Sequence, residues 1–190
     1  MKKLGLKSFV SIAVLSSLAY VIMLIKIPIP PFPNYLTVDF SDIPALIAAL
    51  IFGPIGALLV ELIKNLLDFL TTGSETGIPI GHIANLFAGL LFVLPTYYIY
   101  QRMKTKKGMT LALFVGTISM AVMMSILNYF VILPAYLALM NFQVPNVKEY
   151  ILAGILPFNF VKGILVAIIF MLLFSKMQNW INKQTILKNT

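Results

Sequence analysis

Asn159 and Lys162 in FNFVKG, and Asn128 in NYF, are polar groups set in stretches that are otherwise oil. A charge inside such a run is expensive to bury and marks a site by default. Asn159 and Lys162 fall one helical turn apart on one face, and Asn128 brings a second helix to the same depth. Together they offer amide donors and acceptors plus an ammonium, which is equipment for binding. The stretch LTVDFSDIPA adds Asp39, Ser41 and Asp42. Asp42, just before Ile43-Pro44, is placed to cap a helix. Asp39 and Ser41 have no such structural reason to be there. The glycine-rich segment TTGSETGIPIGHIANL exposes backbone around Gly77 and Gly81 and places His82 and Asn85 on the first turns of a helix. Glu61, Lys64 and Asp68, spaced i, i+3, i+7, read as a self-neutralising ladder on one helical face.

Equally informative is what is missing. There is no phosphate loop of the form G-x-x-x-x-G-K-[ST], no H-E-x-x-H, no G-x-S-x-G and no cluster with metal-ligand spacing. With no cysteine there is no thiolate chemistry and no disulfide. The chain is therefore expected not to be an enzyme, to hold no catalytic residue and no metal, and to bind no nucleic acid. A pocket without an engine describes a binding subunit powered by partners.

The elements that must position these groups follow from composition. Of 190 residues, 60% are hydrophobic and 11% charged, and the mean hydropathy is +0.97, too apolar for a soluble globule. No long stretch alternates as barrel strands must, so the fold class is an all-α membrane protein whose spans are helices. The apolar run after MKKLGLKSFV has no small-x-small cleavage site and reads as a retained first span. Helices are expected at about 8–27, 43–53, 55–71, 80–101, 109–133 and 157–176, in one integral membrane domain covering 1–190. The break between the second and third falls at Gly53-Pro54, a pair that ends one helix and starts another. Six spans put the basic clusters Lys2-Lys3-Lys7, Arg102-Lys104-Lys106-Lys107 and Lys176-Lys183-Lys188 on one side, so both termini are expected to be cytoplasmic. Asp39, Asp42, Glu75 and Glu149 then lie outside. Loop 28–42 carries Pro28, Pro30, Pro31 and Pro33 with Phe32, Tyr35 and Phe40. Stiffened toward polyproline geometry, it reads as an outer lid.

The stretches VDFSDIPALIAALIFGPIGALLVELIKNLL, NYF and FNFVKG together give a resemblance that covers essentially the whole chain. The protein resembles the substrate-binding S components of energy-coupling factor (ECF) transporters, and most closely the riboflavin-specific member. That resemblance implies a multi-pass protein of a bacterial plasma membrane. It would capture riboflavin at the outer face under the first loop, as a transported substrate and not a resident cofactor. It implies as partners a membrane scaffold subunit, the T component, docked through helix 1, and two ATP-binding subunits. The family pattern Ala-x-x-x-Ala on that helix is here Ala13-x-x-x-Ser17. A riboflavin ligand would set Asn128, Asn159 and Lys162 against the pyrimidinedione edge. Leu36, Tyr35 and Phe40 would face the rings, with Thr37, Asp39, Gly81, His82 and Asn85 around the rest of the molecule. An S component for another vitamin such as biotin, whose carboxylate could use Lys162, and a non-transporting membrane scaffold are the competing readings.

Overall fold

The computed structural model describes residues 5–32, 36–74, 77–140 and 144–189. Its elements are α1 (Leu6–Met23), the two-residue strands β1 (Ile27–Pro28) and β2 (Thr37–Val38), α2 (Asp42–Phe52), α3 (Pro54–Thr72) and α4 (Ile80–Met103). Then come α5 (Lys106–Leu127), a π turn (Asn128–Ile132) and α6 (Leu133–Met140) as one continuous rod. A second rod joins α7 (Val147–Tyr150), a π turn (Ile151–Ile155) and α8 (Leu156–Asn189).

Among the described residues, four of the six helical rods are long and apolar enough to cross a bilayer: Leu6–Met23, Ile80–Met103, Lys106–Leu139 and Val147–Ile181. The short helix α2 is possible for a different reason. Eleven residues rise only about 16 Å, roughly half a hydrocarbon core. Yet Ala45, Ala48 and Ala49 are fully buried and Leu46 almost so, because α1, α3, α4 and α8 surround the helix. A half-length helix is tolerated at membrane depth when protein, and not lipid, encloses its ends. At its C-terminus Gly53 takes φ 80°, a left-handed value that favours glycine, and Pro54 opens α3 where its missing N–H costs nothing.

The last two rods differ from the expectation that they break at Leu133-Pro134 and start at Pro157. Both prolines are absorbed by the π turns immediately before them. Leu133 N–H bonds Asn128 O and Leu156 N–H bonds Ile151 O, each five residues back, so the widened turn bypasses the ladder position that proline would disrupt. Asn159 and Lys162 consequently lie well inside a continuous rod and not in its first turns.

Phe92, Phe170, Phe174, Met109, Met120 and Leu46 form part of the main core. Close approach of α4, α5 and α8 depends on glycines. A Cβ on Gly116 would sit 2.2 Å from Thr96 Oγ1, and one on Gly163 would sit 2.7 Å from Thr117 Cγ2. The described ends of the first loop pair with each other, Ile27 with Val38 and Pro28 with Thr37, antiparallel.

Candidate functional site

A cavity of about 680 Å³ opens at the end of the bundle where β2, the N-terminus of α4 and the two π turns meet. Its lining includes Leu36, Thr37, Asp39, Gly81, His82, Asn85, Asn128, Asn159 and Lys162. The structure thus brings nine of the eleven expected ligand residues to one space. Phe40 is the exception among those described: it packs against the main core and does not line the cavity. The reason is its place one residue before the buried Ser41 at the mouth of α2, where its ring turns inward. Tyr35 lies outside the described residues. Phe32 of the first loop, which is not among the cavity's lining residues, meets Phe158 of α8 edge-on with centroids 5.5 Å apart.

The polar end is built by two rods. Asn128 opens the first π turn and donates to Met124 O at 2.8 Å, while Asn159 donates to Ile155 O at 2.9 Å. Each amide spends one N–H on its own backbone, which fixes its orientation and leaves an oxygen and a second N–H for the cavity. Lys162 lies between them and the first loop, and Asp39 Oδ2 accepts its ammonium proton at 3.1 Å. The same oxygen accepts from Asn85 Nδ2 at 3.4 Å, while Oδ1 accepts from Ser41 N at 3.0 Å and from the Ser41 hydroxyl. Asp39 is therefore the acid that no nearby sequence supplies to Lys162. Burial opposes ionisation of Asp39, but the Lys162 and Lys64 ammonium groups and the Ser41 hydrogen bonds outweigh it and hold the carboxyl well below the usual carboxylate range.

Beneath this layer lies a second buried charge cluster. Lys64 Nζ is 2.6 Å from Asp42 Oδ1, 2.9 Å from the Glu61 carboxylate and 2.8 Å from Ser41 Oγ, and Lys64 and Glu61 are fully buried. Asp42 is not the helix cap that its position suggests. Ser41 holds the cap position without a side-chain cap bond, because Lys64 draws the Asp42 carboxylate toward α3. Ser41 joins the two clusters, since it both donates to Asp39 and accepts from Lys64.

The expected ladder on α3 is also split. Glu61 and Lys64 pair with each other, but Asp68 turns away to the cavity, where its Oδ2 meets His82 Nε2 at 3.1 Å and Lys26 Nζ at 3.3 Å. Lys26, Asp68, Thr72, Tyr136, Tyr150 and Phe158 all line the cavity and were not singled out from sequence as its walls. The signal for Tyr136 and Tyr150 was hidden, because Tyr136 follows the expected end of one helix at Leu133-Pro134 and Tyr150 precedes the expected start of the next at Pro157. Gly81 faces Tyr136 so closely that a Cβ there would sit 3.0 Å from its hydroxyl. Ala13 and Ser17, which do not line the cavity, are exposed on α1, and Ser17 Oγ donates back to Ala13 O at 3.0 Å.

Residues 7–174 match the family model described as ECF transporter, substrate-specific component. The chain is 45% identical over 181 residues to the riboflavin transporter FmnP of Bacillus subtilis, covering 94% of this chain and 95% of that one. To the riboflavin transporter RibU of Staphylococcus aureus it is 42% identical over 179 residues, 93% of each chain. A solved structure described as the S component of a bacterial ECF transporter superposes with a TM-score of 0.78 at 42% identity, covering 92% of this chain and 96% of that one.

Proposed function

The chain belongs to the substrate-specific components of ECF transporters, and from that premise we propose that it captures riboflavin in the cavity and delivers it for ATP-driven uptake. It is a multi-pass protein of the bacterial plasma membrane. The observation that carries the ligand assignment is the convergence of Asn128, Asn159 and Lys162 at one end of a cavity sized for a small organic molecule. Riboflavin presents a flat tricycle whose pyrimidinedione edge alternates carbonyls with N–H groups. Two oriented amides can give to and take from that edge, and the Lys162 ammonium keeps donors beyond the one given to Asp39. Leu36, Ile132, Leu133 and Phe158 supply apolar surface for the ring faces. The ligand is cargo, and the chain performs no chemistry on it.

A biotin-type carboxylate is a poorer match, because Lys162 is already neutralised by Asp39. A pure scaffold would have no use for amides held open at a cavity wall. Orientation follows from charge. Arg102, Lys104, Lys106 and Lys107 occupy the α4–α5 turn, and α4 carries the chain about 36 Å from the cavity to that turn. Basic residues at span ends stay cytoplasmic, so the cavity faces outward. Delivery then requires an engine supplied by other chains, a membrane scaffold subunit and two ATP-binding subunits, with the exposed Ala13 and Ser17 face of α1 as the docking surface.

The test is optical. Protein purified in detergent from flavin-fed cells should carry the visible flavin absorption band, and after stripping it should quench added riboflavin fluorescence. A colourless protein that leaves riboflavin fluorescence unchanged would refute the assignment.

A further inference from the structure

The two π turns that bring Asn128 and Ile155 to the cavity also border a second hollow, which shares no residue with it. This is a groove of about 270 Å³ between the rods, with Ile126, Tyr129 and Phe130 on one bank and Ile151 and Leu152 on the other. Phe130 is 70% and Leu152 66% exposed, and the Tyr129 and Phe130 rings meet edge-on with centroids 4.9 Å apart. Ser125, also in the lining, spends its hydroxyl on Ala121 O at 2.7 Å. Both banks belong to rods long and apolar enough to cross the bilayer, so the groove lies at membrane depth. Apolar exposure there costs little and by itself names no occupant.

The cation in the lining does. Lys148 stands at the start of the second rod, two residues before Tyr150 of the cavity wall, so it belongs to the cavity end of the bundle. That end lies opposite the basic α4–α5 turn, and a lysine on the outer side is an exception that needs a reason. Lys26, Lys64 and Lys162 have theirs, since they hold the carboxylates of Asp68, Asp42 and Asp39. Lys148 has no ion-pair partner among the described residues, and Glu149 beside it does not line the groove. Its ammonium can reach headgroup level while its stem lies along the apolar bank. An unpaired ammonium at the rim of an apolar trough is the complement of an amphiphile, an anionic headgroup carried on an acyl chain.

We infer that this groove is a phospholipid site: an acyl chain lies between the two π turns, and Lys148 holds the phosphate of an anionic headgroup in the outer leaflet. A zwitterionic lipid fits less well, because its own ammonium competes with Lys148 for the phosphate. The site is separate from the cavity, and its occupant does not depend on what the cavity binds.

The experiment uses the full chain in phosphatidylcholine vesicles. Trp180 is the only tryptophan in the sequence, so Trp180→Phe combined with Tyr129→Trp leaves one emitter, at the groove. Dibrominated phosphatidylglycerol, or dibrominated phosphatidylcholine in its place, is included at the same low mole fraction and the quenching compared. Phosphatidylglycerol should quench roughly fivefold more effectively, the worth of one lysine beside an anionic headgroup. Lys148→Gln should bring the two lipids level. Phe130→Trp gives the same reading should Tyr129→Trp fail to fold, and Phe87→Trp, exposed on α4 outside the groove, should show no preference. Equal quenching by both lipids at the groove would mean ordinary lipid contact only and would overturn the site. So would a preference that survives Lys148→Gln, or one equally strong at Phe87→Trp. Absence of quenching by either lipid would overturn it as well, since protein, such as a second copy of the chain, would then cover the groove.

Discussion

Lys162 and Asp39 are 123 residues apart in the chain and 3.1 Å apart in the fold. That ion pair ties the first loop to α8 at the polar end of the cavity, so the loop is anchored by charge where it lines that space. Breaking a buried pair by removing one partner leaves the other charge unmet, which costs about 3–5 kcal/mol, whereas neutralising both removes most of that penalty. Lys162→Met should therefore lower the midpoint of thermal unfolding in detergent more than the double variant Asp39→Asn/Lys162→Met does. Riboflavin affinity should fall in both, because both lose the ammonium donors. Equal unfolding midpoints for the single and double variants would mean that the two charges do not depend on each other.

The same carboxyl sets a pH expectation. Its pKa is depressed on folding, so its stabilising contribution is complete above the unfolded carboxylate value of about 4 and is lost only as pH falls through the lower folded value. The stability gap between the parent and Asp39→Asn should then stay constant from about pH 7 down to about pH 5. A gap that closes within that window, measured by thermal unfolding in detergent, would contradict the depressed pKa.

Lys64 holds Asp42, Glu61 and Ser41 together beneath the site without lining the cavity. Lys64→Met would strand two buried carboxylates and is expected to destabilise the fold by at least the roughly 3–5 kcal/mol of a broken buried pair. Glu61→Gln, which keeps the shape and leaves Lys64 its Asp42 partner, should cost less. Monodisperse yield and unfolding midpoint in detergent separate these outcomes, and a Lys64→Met protein as stable as the parent would show that the cluster is not holding α2 to α3.

How far this could be read in advance depended on the range of the forces involved. Apolar runs and the Gly53-Pro54 break are local, and they mark out α1 to α4 within a few residues. Asn128, Asn159 and Lys162 were visible because polar groups in oil carry a cost that needs a reason. Pro134 and Pro157 misled, because one proline reads locally as ending a helix and the other as starting one, and only the carbonyl pairing of the preceding π turn shows otherwise. The partners of Lys162 and Asp68 were illegible for a different reason. Asp39 and Lys26 reach them through tertiary packing across 123 and 42 residues, and no periodicity encodes such distances.

Gly116 tests the packing that holds the cavity walls. A Cβ there would lie 2.2 Å from Thr96 Oγ1 and 2.7 Å from the Phe92 carbonyl oxygen, and a backbone oxygen cannot rotate away. Gly116→Ala should therefore push α4 from α5 and cost about 1–3 kcal/mol. Gly154, in the second π turn, has nothing within 4 Å of the same added atom. Gly154→Ala should leave the unfolding midpoint within a degree or two of the parent, and a large drop there would mean that the π turn itself needs glycine.

The last expectation concerns delivery. Ala13 and Ser17 present small, exposed side chains one turn apart on α1, whereas Ile12, Ser16 and Ala19 turn inward. Ser17 satisfies its hydroxyl on Ala13 O, so the pair offers a partner helix a shallow surface with no unmet polar group. Ala13→Leu and Ser17→Leu should block close helix approach yet leave the cavity untouched, since neither residue lines it. Riboflavin titration of the isolated chain should give parent affinity, while ATP-dependent uptake in vesicles reconstituted with the scaffold and ATP-binding subunits should fall at least tenfold. Parallel loss of binding and uptake would instead place α1 among the elements that shape the pocket, and unchanged uptake would move the docking surface to another face of the bundle.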